Sequence, residues 1–307
     1  MQKRKIVLLD TLTFGDTDLS CFEALGAVTF YKKTAPHETQ ERIKDAEVIV
    51  TNKVVITKEH MEYAKDLQLI CVAATGMNNV DLEAAKELGI AVKNVAGYST
   101  DSVIQHTFSM LFYLIGHARY YDEVVKSGAY TKSGIFTDVT HPFFEIKGKK
   151  WGIIGLGTIG RGVANIAKCF GADLCYYATS GVDRKEDIQR VGLDELLQSC
   201  DIISIHAPLN EKTKNLLDYD KLLTCKEGAV VLNLGRGGII NESAIAKLVD
   251  EKDIYFGLDV FETEPLPQES PLLCVKNKER LYMTPHIAWT SVEAREKLIQ
   301  SVCEHIK

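Results

Sequence analysis

No apolar run in the chain approaches the roughly 18 residues that a membrane span needs. Basic residues are not in excess. Lys and Arg number 36 against 42 Asp and Glu, a formal net charge of −6. With no basic block, neither nucleic acid nor a membrane surface is an expected partner. Proline is sparse, at 7 against 22 glycines, which argues against Pro-rich linkers. The eight cysteines (Cys21, Cys71, Cys169, Cys175, Cys200, Cys225, Cys274 and Cys303) contain no CxxC pair. That speaks against a zinc ribbon or a dithiol redox motif. Most stand in or beside apolar segments and read as reduced core residues, so a cytoplasmic location is expected. There is no HxxxH pair, and no metal site is expected. The N-terminal MQKRKIVLLDTLTFGD turns polar after one short apolar run, too short for a signal-peptide core, and reads as a first strand.

What the chain does contain is alternation. At 307 residues it suits two domains. Short apolar runs alternate with helical periods, which predicts βα units and parallel sheets. KIVLLD (5–10), EVIV (47–50) and LQLICVAA (67–74) read as strands, and DLEAAKEL (81–88) as a helix. A long helix is expected from about Asp101 to Arg119, capped by Thr100 or Asp101, followed by loop over 121–149. A second series then supplies six strands: WGIIG (151–155), ADLCYY (172–177), DIISIH (201–206), AVVLNL (229–234), DIYFGLD (253–259) and LYMT (281–284). Helices are expected near 158–170, 184–199, 217–224 and 240–250. That pattern suits a doubly wound nucleotide domain. The last helix, 291–306, is expected to return to the first domain.

Residues 155–160 read GLGTIG, between a strand and a helix. A lone GxGxxG is weak, and this context strengthens it. Gly155 allows the tight turn, Gly157 lets backbone approach a pyrophosphate, and Gly160 lets helix and sheet pack closely. The helix N-terminus offers unpaired N–H groups to phosphate, and Arg161 adds charge beside it. The next strand should end in an acid that binds the ribose hydroxyls, but its tip reads YYATSG with Ala178 at the acid's place. Thr179 and Ser180 offer hydroxyls there, and Arg184 and Lys185 follow. These donors suit a 2′-phosphate, so both NADH and NADPH stay open as cofactor.

Three more stretches fall at strand ends, where open α/β sheets bind ligands. Arg236 lies between glycines in NLGRGG, and its planar fork suits a carboxylate beside a carbonyl. Asp259 ends a strand in GLDVFETEP, with Glu262 and Glu264 after it. His286 follows a proline in TPHIAW. Histidine is the simplest proton donor near neutral pH, and a paired carboxylate favours its charged form and holds the ring. Residue chemistry alone leaves Glu262 and Glu264 open. A metal at His286, Asp259 and Glu264 is the weaker reading. His206 also stands at a strand end, and reads as lining the cofactor cleft or satisfying backbone groups. His106, in the long helix, reads as structural or interfacial. Lys53, just past a first-domain strand, faces either solvent or a substrate's distal group.

In order, VAATGMNNVDLEAA, NVAGYSTDSVIQHT, EIKGKKWGIIGLGTIG, SIHAPLNEKT, NLGRGG, DVFETEP and PHIAW resemble the NAD(P)-dependent D-2-hydroxyacid dehydrogenases over essentially the whole chain. TNKVVIT and QHTFSM are most similar to the glycerate dehydrogenase, or hydroxypyruvate/glyoxylate reductase, branch. The resemblance implies a Rossmann-type doubly wound domain (101–286) inserted into a flavodoxin-like substrate-binding domain (1–100 and 287–307). It implies catalytic Arg236, Glu264 and His286, which selects Glu264 over Glu262. It implies that Thr75 and Gly76 join Arg236 in holding the substrate's carboxylate. Cofactor contacts extend by the same resemblance to Thr158, Ile159, His206, Pro208 and Asp259. A homodimer through the long helix and its neighbours is expected. So is reduction of a small 2-oxo acid held between the domains, with hydride from the nicotinamide and a proton from His286. Alternatives are a D-lactate-type or other D-2-hydroxyacid dehydrogenase. Of another class is a dinucleotide-sensing corepressor, which Arg236, Glu264 and His286 do not exclude. A formate or phosphite oxidase fits poorly, since formate has no carbonyl to protonate. Two features depart from the family: Ala178 in place of the ribose acid, and an end at SVCEHIK that comes earlier than in many members.

Overall fold

The computed structural model describes residues 4–181 and 186–307. They form two compact units, residues 1–99 with 290–307, and residues 100–289. In the first, five strands, β1 (Lys5–Leu8), β2 (Ala27–Phe30), β3 (Val48–Thr51), β4 (Leu69–Val72) and β5 (Ala91–Asn94), pair in the order β2-β1-β3-β4-β5. Every pairing is parallel. This is the flavodoxin-like order. VIVT and LICV are buried at every position, as central parallel strands covered on both faces must be. Ile49, Ile70, Ile56 and Met61 centre one core of this unit.

The second unit holds β6 (Lys150–Ile154), β7 (Asp173–Tyr177), β8 (Gln189–Arg190), β9 (Ile202–Ile205), β10 (Ala229–Asn233), β11 (Ile254–Leu258) and β12 (Leu281–Met283). Their order is β12-β11-β10-β9-β6-β7-β8, all parallel. The chain runs outward from β6 through β7 to β8, then crosses back to β9 on the other side of β6. That reversal makes the β6/β9 seam the switch point, where the carboxyl ends of the strands open a crevice. Two cores lie on the two faces of the sheet. One is built around Phe256 and Leu248. The other centres on Trp151, Phe108 and Met110.

Several local expectations are corrected. The long helix stops earlier, as Thr100–Ile115, and a second helix, Ala118–Lys126, follows. Gly116 and a left-handed His117 (φ 45°) separate them. A third helix, Ala129–Ser133, lies where loop was expected. Neither of these later helices buries a residue, so neither adds to the core. β8 was not expected, since two exposed residues carry no strand pattern. The helix expected over 184–199 is shorter, Leu193–Ser199. The return to the first unit falls at Thr290 rather than 287, because Asp259 holds the amides of Ile287 and Ala288 in the second unit.

The cysteine reading also changes. Cys21 and Cys303 are joined by a disulfide within the first unit, and Cys169 and Cys274 are exposed. Cys71 and Cys225 are reduced core residues as expected, and burial pushes their thiols up to about 12 and about 11. One oxidised pair removes the support that uniformly reduced cysteines lent to a cytoplasmic location. Among the described residues no helix is long and apolar enough to cross a membrane.

Candidate active site

The carboxyl ends of β10, β11 and β12 lie side by side in the second unit, and each is followed by one of the expected catalytic stretches. After β12, His286 adopts a left-handed backbone (φ 54°). A non-glycine residue there is uncommon, and such strain persists only where the surroundings impose it. Asp259, just past β11 and buried, imposes it. Its Oδ1 accepts from Thr284 Oγ1 (2.6 Å) and from the Ile287 amide (2.8 Å), and its Oδ2 from the Ala288 amide (2.9 Å). The turn carrying His286 is thus clamped on both sides. His106 Nε2 lies 3.2 Å from Thr284 Oγ1. The threonine's single hydrogen points to Asp259, so His106 is the donor. Burial pushes the His106 imidazole below its ordinary value, against the opposing pull of Asp259. The expected structural role of His106 takes this form.

The clamp aims the ring. His286 Nδ1 meets Glu264 Oε2 at 2.7 Å, and Glu264 Oε1 accepts from the Phe261 amide (3.1 Å). Glu264 is therefore the carboxylate paired with His286, while the Glu262 amide donates to Glu242 (2.6 Å). With Nδ1 occupied, Nε2 is the ring nitrogen left to exchange a proton with a ligand. Arg236 sits in the turn after β10. Among the described residues its guanidinium makes one hydrogen bond, from Nη1 to the Gly235 carbonyl (2.8 Å). Asn233 braces the turn by bonding the Arg236 carbonyl and the Gly235 amide. A Cβ on Gly237 would lie 1.8 Å from the Phe261 carbonyl oxygen. The arginine turn and the glutamate loop therefore touch backbone to backbone.

The glycine loop lies at the switch point. Gly155 has φ 92°, and a Cβ there would press on Ala207 at 3.0 Å; one on Gly160 would meet the Gly155 carbonyl at 2.4 Å. Gly157 differs, since a Cβ there would meet nothing within 4 Å. Packing does not demand that glycine, but a ligand lying close over the loop would. The helix Thr158–Cys169 begins directly after it, so the first-turn amides of Thr158, Ile159 and Gly160 lack intrahelical acceptors. A cavity of about 240 Å³ opens here. Gly155, Gly157, Ala178, Thr179 and Ser180 line it, and so do His206, Pro208 and Glu186. Among the described residues both His206 ring nitrogens are buried without a hydrogen-bond partner, and desolvation pushes the imidazole down to about 3. The ring is thus neutral and satisfies no backbone group, against one of its two expected roles. A site with open space above a glycine, free helix-start amides and an orphaned neutral imidazole fits a dinucleotide. Arg184 and Lys185 lie outside the described residues.

The remaining expected residues belong to the first unit. Thr75 follows β4 and is exposed, its Oγ1 donating to the Val95 carbonyl (3.2 Å). Gly76 continues the same loop. Lys53 follows the neighbouring β3, also exposed. The backbone of its loop is gripped by Asp10, whose carboxylate accepts from the amides of Asn52 (2.9 Å), Lys53 (2.7 Å) and Val54 (3.3 Å). Desolvation raises the Asp10 carboxyl above its ordinary value, and these amides pull it back down. Sequence reasoning missed Asp10, Glu186 and the clamping role of Asp259. Among the described residues no cluster of His, Cys, Asp and Glu could hold a metal.

A family model described as "D-isomer specific 2-hydroxyacid dehydrogenase, NAD binding domain" matches residues 108–288. A hydroxypyruvate reductase of Blautia hydrogenotrophica is 34% identical over 99% of this chain and 96% of its own. A glycerate dehydrogenase of Methylorubrum extorquens is 32% identical over 99% and 95%. Among solved structures, an acyclic imino acid reductase in complex with NADPH and D-Arg aligns with a TM-score of 0.85 at 28% identity, covering 98% of this chain and 95% of that one.

Proposed function

The chain belongs to the D-isomer-specific 2-hydroxyacid dehydrogenases, NAD(P)-dependent oxidoreductases of 2-hydroxy and 2-oxo acids, and within that family we propose that it reduces hydroxypyruvate and glyoxylate, acting as a D-glycerate dehydrogenase. The observation that carries the reading is the His286 Nδ1 to Glu264 Oε2 contact of 2.7 Å, beside the arginine turn. Bound NAD(P)H supplies the hydride. Arg236 leaves its own turn to hold the substrate's carboxylate and polarise its 2-oxo group. His286 gives a proton from Nε2 to the oxygen that becomes the hydroxyl, while Glu264 fixes the ring and supports its charged form. The likeness to a hydroxypyruvate reductase and a glycerate dehydrogenase along nearly the whole chain favours these substrates.

Thr75, Gly76 and Lys53 belong to the same proposal, the first two for the carboxylate and Lys53 for the substrate's distal hydroxyl. The apolar side chains of Ile135, Phe136, Val139 and Phe143 are exposed, in the segment after the helices that bury nothing. They support a homodimer formed through this surface, which sedimentation of Phe136→Glu tests. The substrate assignment is tested by following loss of the reduced nicotinamide with hydroxypyruvate, glyoxylate and pyruvate. We expect kcat/KM for the first two to exceed that for pyruvate by at least about tenfold. Equal or greater activity on pyruvate would replace the assignment with a D-lactate dehydrogenase. Dinucleotide binding without turnover of any of the three would favour a binding protein.

A further inference from the structure

Glu264 stands on a short turn that its own side chain closes, since Oε1 accepts from the Phe261 amide three residues back (3.1 Å). A turn closed in this way shifts as one piece, so a displacement at Glu262 carries Glu264 with it. Among the contacts that hold the turn from outside are two on its first half. Gly237, just past the catalytic arginine, lies so close to the Phe261 carbonyl that no side chain fits between. The Glu262 amide donates to Glu242 Oε1 at 2.6 Å. Glu242 is the first residue of the helix Glu242–Glu251. An acid in a first turn can serve its own helix by facing the positive end of the dipole. Here Asn241 caps the helix, its side chain accepting from the Ala244 amide (2.9 Å), and the Glu242 carboxylate reaches across to the glutamate turn. That reach brings like charges together. Burial holds the Glu242 carboxyl above its ordinary value, and the charges of Glu262 and Glu264 add to the rise against the pull of the Glu262 amide. The surroundings thus oppose a carboxylate at this place, and the hydrogen bond to the turn is what offsets them.

We propose that Glu242 is a positioning residue for the proton donor, anchoring the Glu262 amide so that Glu264 meets His286 Nδ1 in register. The inference rests on the function proposed above and adds a residue to its machinery. Asp259 holds the histidine half of the pair, through the backbone after β12. Glu242 holds the glutamate half, from the helix that follows β10. The 2.7 Å contact between His286 and Glu264 is where the two grips meet. Distance and angle both set the strength of a charge-assisted hydrogen bond, so a loosened turn weakens the hold of Glu264 on the ring without removing either partner. The anchor needs an acceptor oxygen rather than a charge. Glutamine at position 242 keeps such an oxygen and alanine does not.

The test compares Glu242→Ala with Glu242→Gln in the full chain. Steady-state rates with hydroxypyruvate separate kcat from KM. Nitrogen NMR of protein labelled in its histidine rings, taken above their titration range, shows which nitrogen of His286 carries the proton, and His286→Asn assigns the signal. A neutral imidazole in water favours the proton on Nε2, whereas pairing with Glu264 keeps it on Nδ1. Glu242→Ala lowers kcat by about tenfold or more, leaves KM and dinucleotide affinity little changed, and moves the ring proton toward Nε2. Glu242→Gln restores most of kcat and the Nδ1 proton. In a Glu264→Gln background, adding Glu242→Ala costs little further, because both act on one contact. Should Glu242→Ala fold poorly, Glu242→Ser decides instead, being too short to reach the amide and well tolerated at a helix start. A kcat and a ring proton that stay as in the wild type when the acceptor is lost overturn the proposal. So does a glutamine that fails to rescue, or a loss that adds in full to that of Glu264→Gln. A wild type that turns over no 2-oxo acid overturns the proposed function instead, and the ring proton then still decides the role of Glu242.

Discussion

Each sheet carries a buried aspartate just past one strand, and each aspartate grips the loop after the neighbouring strand. In the first unit Asp10, past β1, takes the amides of Asn52, Lys53 and Val54 after β3. In the second Asp259, past β11, takes the amides of Ile287 and Ala288 and the Thr284 hydroxyl after β12. The device is the same and the load differs. Asp10 holds a loop whose exposed end is Lys53, in an ordinary conformation. Asp259 holds a histidine in a left-handed backbone, aimed at a glutamate. A strand-end carboxylate can therefore set either an exposed lysine loop or a strained histidine turn, depending on what the next loop carries. Both work because a carboxylate accepting backbone N–H bonds fixes main chain as well as side chain.

The comparison breaks most visibly at Asp259. His286→Ala should lower kcat by roughly 10²- to 10⁴-fold while dinucleotide binding persists. Asp259→Ala should approach the same loss. The double variant should be little worse than either alone, because Asp259 would be acting through His286. Additive losses in the steady-state constants would show that Asp259 has a separate role, such as the cofactor contact expected for it from the sequence. At Asp10 the expected effect is smaller and of another kind. Asp10→Ala leaves buried amides without an acceptor, at about 1–3 kcal/mol for each group left unpaired. It should lower Tm and raise KM for the 2-oxo acid while kcat changes little. A fall in kcat with unchanged KM would sink the binding-loop reading.

The smallest effect at neutral pH is expected at His206, a buried ring without any such partner among the described residues. Its imidazole is pushed from the ordinary 6.5 down to about 3, so the unfolded chain takes up that proton first. Stability from this group is complete above pH 6.5 and is lost as pH falls from there toward 3. Tm measured against pH should decline through that window, and His206→Asn should flatten the decline. An unchanged slope would mean that the ring finds a partner on acidification.

What the sequence made legible were requirements confined to a few adjacent residues. The strand–glycine–helix order announced the switch point because Gly155 and Gly160 each answer a local packing need, while Gly157 leaves open space over the loop. Arg236 and His286 were visible as polar residues past apolar strands. The choice of Glu264 over Glu262 came from resemblance, and the geometry agrees through the contact with His286. The Glu186–Arg161 pair was illegible for a physical reason. Glu186 gains its place from Arg161, 25 positions earlier on a different element, and no strand pattern points to either. Asp10 was hidden because its partners are backbone amides 42 to 44 residues away, and amides have no signature in composition. The helices after Ile115 bury nothing, yet Ala118, Tyr121 and Val125 recur at helical spacing in the first of them, so that helix was within reach of the sequence.

The disulfide between Cys21 and Cys303, 282 positions apart, closes nearly the whole chain into a covalent ring, with the entire second unit inside its circumference. A protease that cuts once anywhere between them opens the ring and releases nothing. The nicked protein would keep its full mass on a non-reducing gel and fall into two pieces only after reduction. The two cysteines thus make the inserted unit an arc of a circle rather than a detachable middle.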